Sequence, residues 1–389
     1  MASVLARSVA LLRDYVAIPS VNPMERADVP AEVAGERRYA EHLAAQLRGL
    51  GLDAEVIGAG ERASVVAEAR PLGARGAPLI VASHLDTVPV DGMEIDPFDP
   101  RVHEGRLYGR GACDTKGGMA ALVAALERVL ARGTLRRPLL VVGEADEEFG
   151  SAGVRDVLAH LGARRASWAL VTEPTGLRVV THHKGIAELR LEARGVAAHS
   201  STPEAGRNAV YAIARAALVL EALAARLAER RDPELGPATL SVGRVGGGHA
   251  FNIVPDRAWL VADRRLLPGE DDTLVRREIE AALAEAGVAE DVTLAHLEAR
   301  KPALATAAAA PCVRACRAVL AALGRDAEPE AVGFATDAGV LATHGIPALV
   351  FGPGSIEQAH TAREWIALEQ LEAAEAFFVR LLESEPEDA

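Results

Sequence analysis

Residues 79–86 read Leu-Ile-Val-Ala-Ser-His-Leu-Asp, an apolar run that passes directly into a serine, a histidine and an aspartate. A short continuous apolar run bounded by polar residues is the pattern of a strand buried on both faces, as in a parallel sheet covered by helices. Ligands of open α/β sheets bind at the carboxyl ends of the strands, which is where His84 and Asp86 stand. Asp86 lies two residues after His84, so on extended backbone their side chains face the same way.

Working outward, strand and helix patterns alternate. Lys116–Leu130 has helical spacing, Leu139–Gly143 reads as a strand, Ser151–Leu161 as a helix and Trp168–Thr172 as a strand. This alternation predicts an α/β sheet with helices on both faces. From about Thr181 the pattern changes. Ile186–Ala193 alternates as a half-buried strand, Asn208–Leu227 is a long helix, and Thr239–Val245 and Trp259–Arg265 are strands. Leu274–Ala286 follows as a helix and Val292–Leu297 as a last strand, which makes the βαββαβ order of a ferredoxin-like unit. After Pro302 come a helix, the strand Ala348–Phe351 and a C-terminal helix. The expected organisation is an α/β domain of residues 1–180 and 299–389 with a small α+β domain, 181–298, inserted into it. A chain of 389 residues is long enough for two cores.

Composition narrows the function. A formal net charge of −13 and a pI near 5.4 argue against a nucleic-acid partner, which would call for a basic stripe. The acidic end, Glu383 to Asp388, is too short for an interaction tail. Cys113, Cys312 and Cys316 make no disulfide framework. Cys312 and Cys316 lie one helical turn apart, but no further Cys or His accompanies them, so they read as packing residues. Met1 to Ile18 is apolar but broken by Arg7, Arg13 and Asp14, an amphipathic helix rather than a signal-peptide core. No run approaches the roughly 18 uncharged residues of a membrane span. The expectation is a soluble cytoplasmic protein.

Five polar clusters carry chemistry: 83–86, 113–118, 146–151, 172–175 and 358–361. Four of them follow apolar runs that read as strands. Each has an ordinary structural explanation. A histidine at a strand end is commonly a hydrogen-bonded structural residue, an aspartate ahead of a helix, as Asp114 is, commonly an N-cap, and a loop Glu pair commonly solvated. Their joint placement at sheet ends outweighs those explanations. Two His and several carboxylates suit two borderline-soft divalent ions, zinc above all.

With these clusters quoted, the chain resembles the dinuclear zinc aminoacylase and carboxypeptidase family, the group of acetylornithine deacetylase and succinyl-diaminopimelate desuccinylase. The resemblance covers nearly the whole chain. It rests on Ser-His-Leu-Asp-Thr-Val-Pro at 83–89, Tyr-Gly-Arg-Gly at 108–111, Glu-Glu-Phe-Gly-Ser at 147–151, Ala-His-Ser-Ser at 198–201 and Phe-Gly-Pro-Gly-Ser-Ile-Glu-Gln-Ala-His at 351–360. It implies a zinc-peptidase-like α/β catalytic domain with an inserted ferredoxin-like lid or dimerisation domain.

Carried over residue by residue, it implies two zinc ions per subunit, with cobalt or manganese as substitutes. Asp114 would bridge them, with His84 and Glu173 at one ion and Glu148 and His360 at the other. The peptide after Asp114 would be cis. Asp86 would accept the second imidazole N–H of His84 and fix its tautomer. Glu147 would be the general base, taking a proton from the attacking water and returning it to the departing amine. His199 would steady the oxyanion from the partner subunit of a homodimer formed through the inserted domain, and Asn252 would act in trans beside it. Arg265, in Asp-x-Arg-x-x-Pro-Gly at 263–269, would clamp the substrate carboxylate. Thr336, in Ala-Thr-Asp-Ala at 335–338, and Gly352 would line the substrate wall.

The implied activity is removal of an acyl group from an N-acyl-L-amino acid, with acetylornithine first among substrates. Desuccinylation of succinyl-diaminopimelate and glutamate-type carboxypeptidase or dipeptidase action are the alternatives, and an inactive binding scaffold is a remote one. N-carbamoyl hydrolases of the group carry His, and its aminopeptidases Asp, where this chain has Glu173. Asp337 and Glu357 are candidate partners for an ornithine ammonium. Three departures bear on substrate: Cys113 and Thr115 beside Asp114, the 335–338 segment, which often carries Glu in acetylornithine deacetylases, and Thr-Ala-Arg-Glu at 361–364 in place of Lys-Pro-Asp-Glu.

Overall fold

A computed structural model describes residues 6–71, 76–163 and 166–385, so the first five residues and the end of the acidic C-terminal segment lie outside it. The chain forms two compact units. One comprises Met1–Thr181, Thr306–Glu330 and Thr336–Ala389. The other comprises His182–Ala305 with Ala331–Ala335.

The first unit is built on a mixed sheet. Its strands run in the order Asp53–Ile57, Ser64–Ala69, Leu139–Glu144, Leu79–His84, Trp168–Val171, Ala348–Val350, with Val180–His183 beyond. Leu139–Glu144, Leu79–His84, Trp168–Val171 and Ala348–Val350 are parallel neighbours, while Asp53–Ile57 and Ser64–Ala69 add an antiparallel edge. Every residue of Leu79–His84, Leu139–Glu144 and Trp168–Val171 is buried, as strands covered on both faces must be. Helices Arg7–Val16, Lys116–Arg132, Pro311–Ala322 and Leu368–Glu383 pack together as one group, and Ala152–Leu161 packs with the short Ala338–Thr343. Cys312 and Cys316 lie in the core among these helices.

In parallel strands all carboxyl ends point one way. His84 and Glu144 therefore end adjacent strands in register, and Thr172–Glu173 follow the next one. The helix Lys116–Arg132 starts unusually close to that strand end, because Gly118 has no side chain. A Cβ there would lie 2.5 Å from Thr172 Oγ1.

The second unit is the ferredoxin-like order, βαββαβ, with the antiparallel sheet Thr239–Gly247, Arg257–Leu266, Gly185–Arg194, Val292–Lys301. Along Gly185–Arg194 alternate residues are buried under the helices Ala209–Glu229 and Asp272–Glu285. Asn208 caps the longer helix, accepting the N–H groups of Val210 and Tyr211. A boundary at 298 falls inside the last strand, which runs to Lys301. Register shifts at Leu294/His296 and Ala299/Lys301 interrupt the two-residue alternation there, so the pattern fades before the strand ends. Among the described residues no helix is long and apolar enough to cross a membrane.

Candidate metal centre

The parallel strands deliver the clusters of the first unit to one place. His84 Nε2 lies 3.0 Å from Asp114 Oδ1 and 3.8 Å from Glu173 Oε2. His360 Nε2 lies 3.3 Å from the other oxygen of Asp114 and 3.1 Å from Glu148 Oε1. Asp114 thus turns one oxygen to each imidazole. Donor atoms of His84, Asp114 and Glu148 fall within 4.8 Å of one another, as do those of His84, Glu147 and Glu173. Asp114 does not cap the helix that follows; Thr115 holds that position, and the Asp114–Thr115 peptide is cis.

Electrostatics fit cations. Four carboxylates, Asp114, Glu147, Glu148 and Glu173, surround two imidazoles, and all but His360 are largely buried. Burial pulls the His84 pKa down, but the carboxylates of Asp114 and Asp86 outweigh it and raise it well above the ordinary value. Hydrogen bonding to Asp114 and Glu148 lifts His360 to about 10. Burial, with the charge of Asp114, lifts Glu148 to about 7. Burial would raise Asp114 as well, yet its bonds to His360 and His84 hold it far below the carboxylate range. Such a donor set, two imidazole nitrogens and crowded carboxylate oxygens, matches the chemistry of a divalent pair.

Asp86 meets His84 through both its backbone and its side chain. The close acceptor for His84 Nδ1 is the backbone carbonyl of Asp86 at 2.9 Å, with its carboxylate at 3.6 Å. That carboxylate has further partners: Oδ1 accepts the Glu147 N–H at 3.1 Å, and Oδ2 accepts the Glu148 N–H at 3.0 Å and Asn22 Nδ2 at 2.9 Å. The Asp86 peptide sets the tautomer, and its side chain holds the backbone of the Glu pair. Asn22 also donates to Asp146 Oδ1, and Glu36 accepts the Asp146 N–H. Burial pushes Glu36 up to about 8.

The two residues expected on the substrate wall, Gly352 and Thr336, are both buried. Gly352 is buried against Glu173, where a Cβ would lie 2.6 Å from the Glu173 carbonyl oxygen. Its N–H donates to Thr175 Oγ1 and its carbonyl accepts the Leu177 N–H, so it serves as a spacer behind Glu173. Thr336 is buried, and its Oγ1 accepts the Ala338 N–H. Asp337 is fully buried, neither solvated nor accessible to an ammonium, whereas Glu357 is exposed on the His360 loop.

His199, Asn252 and Arg265 belong to the second unit. His199 is exposed, and its Nδ1 accepts the Ser201 N–H at 3.1 Å, which leaves the neutral ring a proton on Nε2. His199 pairs with Ile253, next to the exposed Asn252. Arg265 is partly exposed, with Nε on Asp263 Oδ1 at 3.1 Å. Its neighbour Arg264 faces the opposite side, fully buried against Glu270.

The family model of peptidase family M20/M25/M40 matches residues 80–384, and this chain belongs to that family, an enzyme that hydrolyses amide bonds. Among its relatives, acetylornithine deacetylase of Myxococcus xanthus is 36% identical over 325 residues, 82% of this chain and 83% of that one. Acetylornithine deacetylase of Proteus mirabilis is 32% identical over 393 aligned positions, 97% and 96% of the two chains. The crystal structure of an M20 family metallo-carboxypeptidase from Sulfolobus solfataricus shares the fold, with a TM-score of 0.78 at 21% identity over 97% of this chain and 98% of that one.

Proposed function

We propose that this chain is a two-zinc N-acyl-amino-acid deacylase of the cytoplasm, with acetylornithine as its foremost substrate. The observation that carries the reading is the convergence of His84, Asp114, Glu148, Glu173 and His360, with one oxygen of Asp114 towards each imidazole and Glu147 inside the same cluster. The two relatives named acetylornithine deacetylase support the acyl and amino-acid halves of the substrate. Three reduced, buried cysteines suit a reducing compartment.

A divalent pair held by His84, Asp114, Glu148, Glu173 and His360 would supply Lewis acidity towards the scissile carbonyl and would lower the pKa of a water towards about 7. Glu147 accepts the proton of the attacking water and delivers it to the departing amine. Asp86, holding both amides of the Glu pair, keeps Glu148 towards His360 and Glu147 towards His84. By distance alone Glu147 also belongs with His84 and Glu173, so the division between base and ligand rests on the mutants considered in the Discussion.

Arg265 is assigned the free carboxylate of the substrate, because a guanidinium fork matches it bidentately. Arg265→Ala should raise KM by about 2 kcal/mol, a factor near 30, and Arg265→Lys should restore only part of it. Unchanged KM values in both variants would remove the assignment. His199, presenting Nε2–H, is the proposed oxyanion donor to the partner subunit, with Asn252 beside it.

A second copy of this chain is the occupant proposed for the outer face of the second unit. There Tyr211 and Leu218 of the helix Ala209–Glu229 and Val245 of the edge strand Thr239–Gly247 are all about two-thirds exposed. An edge strand and an apolar helix face are what a symmetric interface covers. Leu218→Asp should give a monomer by light scattering with kcat reduced at least tenfold and metal content unchanged. A fully active monomer refutes the trans roles.

The decisive experiment is a panel of N-acetyl, N-succinyl and dipeptide substrates offered to the zinc-loaded enzyme. Acetylornithine should be turned over fastest. If acetylalanine or acetylmethionine does as well, the ornithine assignment fails and deacylation survives. Cleavage only of peptides or of amides lacking a free carboxylate ends the deacylase reading.

A further inference from the structure

After His360 the sequence reads Thr361-Ala362-Arg363-Glu364, and the chemistry above uses none of it. Glu364 is fully buried. It precedes the strand Trp365–Ala367, whose pairing with Arg106–Tyr108 brings it opposite Gly109; the Gly109 N–H donates to the Glu364 carbonyl at 3.1 Å. From there the side chain crosses to the turn that carries Asp114. Oε1 accepts the N–H groups of Cys113 at 2.9 Å and Asp114 at 3.0 Å. Oε2 accepts the Gly111 N–H at 3.0 Å and Arg110 Nη1 at 2.7 Å. Four donors fill the roughly four lone-pair sites of a carboxylate, and charge-assisted bonds are about twice as strong as neutral ones.

The donors are as informative as the acceptor. Gly111, Cys113 and Asp114 lie in a turn outside any helix or strand, so their N–H groups have no ladder to satisfy them. Glu364 takes the place of secondary structure for this turn. A second link joins the same two segments from the other side: the Cys113 thiol donates to the Ser355 carbonyl at 3.3 Å. His360 is therefore bracketed, five residues before and four after, by attachments to the Asp114 turn.

We infer that Glu364 is a positioning residue for the metal centre, fixing the Asp114 turn to the His360 turn so that both side chains meet at one ion. The inference rests on the metal reading proposed above. Arg110, itself buried, holds the carboxylate of Glu364 in this orientation and also reaches the Pro89 carbonyl. A buried ion pair that merely stabilised the fold would have no need of three backbone donors within three residues of a bridging ligand.

The test is titration of cobalt(II) into the metal-free protein, read by d–d absorption and by the ions retained on dialysis. Wild type should take up two ions per chain. Fewer than two overturns the metal reading and this inference with it. In Glu364→Gln the side-chain amide turns N–H groups towards two donors and loses half of the cradle. The ion at His360 should then bind about 10- to 100-fold more weakly, with a changed absorption band, as expected when a residue supporting a ligand is altered. Leu371→Ala, in the hydrophobic core, is the control for lost stability and should keep wild-type affinity and spectrum. Wild-type cobalt binding in Glu364→Gln, or an equal loss in Leu371→Ala, overturns the positioning role while leaving the metal reading intact. If Glu364→Gln gives no folded protein, Arg110→Gln is titrated instead: weakening of tenfold or more with an altered band supports the role, and anything less overturns it.

Discussion

Glu147→Gln should lower kcat by about 10²- to 10⁴-fold, the usual contribution of a positioned general base, while the protein keeps both ions. The substitution preserves shape and removes only the capacity to accept a proton. The Glu147 backbone N–H stays on Asp86, so the loop and its neighbour Glu148 are held as before. Glu148→Ala should behave in the opposite way, losing the ion shared with His360, because its Oε1 lies 3.1 Å from that imidazole. Metal analysis beside steady-state kinetics separates the two. If Glu147→Gln loses an ion as Glu148→Ala does, Glu147 is a ligand of the His84 and Glu173 side, which its distance to those residues would allow.

Asp114→Ala should abolish measurable turnover and leave at most one ion per chain. Its two oxygens serve different imidazoles, His84 at 3.0 Å and His360 at 3.3 Å, so one substitution strips a ligand from both sides of the cluster. Losing the Lewis acidity of one ion costs several kcal/mol at the transition state, more than about a hundredfold in rate. The two sides differ in access: the His360 side chain is 50% exposed and that of His84 1%. Graded chelation of the wild type should therefore remove the ion at His360 and Glu148 first, and with it the activity. A variant that retained two ions at wild-type affinity would show that Asp114 is no bridge.

Much of this was written along the chain. Leu79–His84, Leu139–Glu144 and Trp168–Val171 are apolar throughout because helices cover both faces of their sheet, and burial on both faces leaves no room for alternation. Gly185–Arg194 alternates because only one face is covered. Those periods mark the change from one unit to the next near Thr181, and the polar residues just past buried strands mark the candidate metal site. The short strands Arg101–His103, Arg106–Tyr108 and Trp365–Ala367 were invisible, since three residues are too few for any period to show.

Local pattern alone determined which residue types stand at the sheet ends: His84, the Glu147–Glu148 pair, Glu173. Tertiary structure decided what each does there. Asp114 looks like a helix cap in sequence and faces two imidazoles in space, because the helix start is pulled against Thr172 where Gly118 leaves room. Asp86 looks like a partner for His84 alone and also holds the backbone of the Glu pair. Asn22, 64 residues from Asp86, and Glu364, 250 from Asp114, carry no local signal whatever. Hydrogen bonds between residues so far apart depend on where the sheet brings separate loops together, and only the folded chain establishes that proximity.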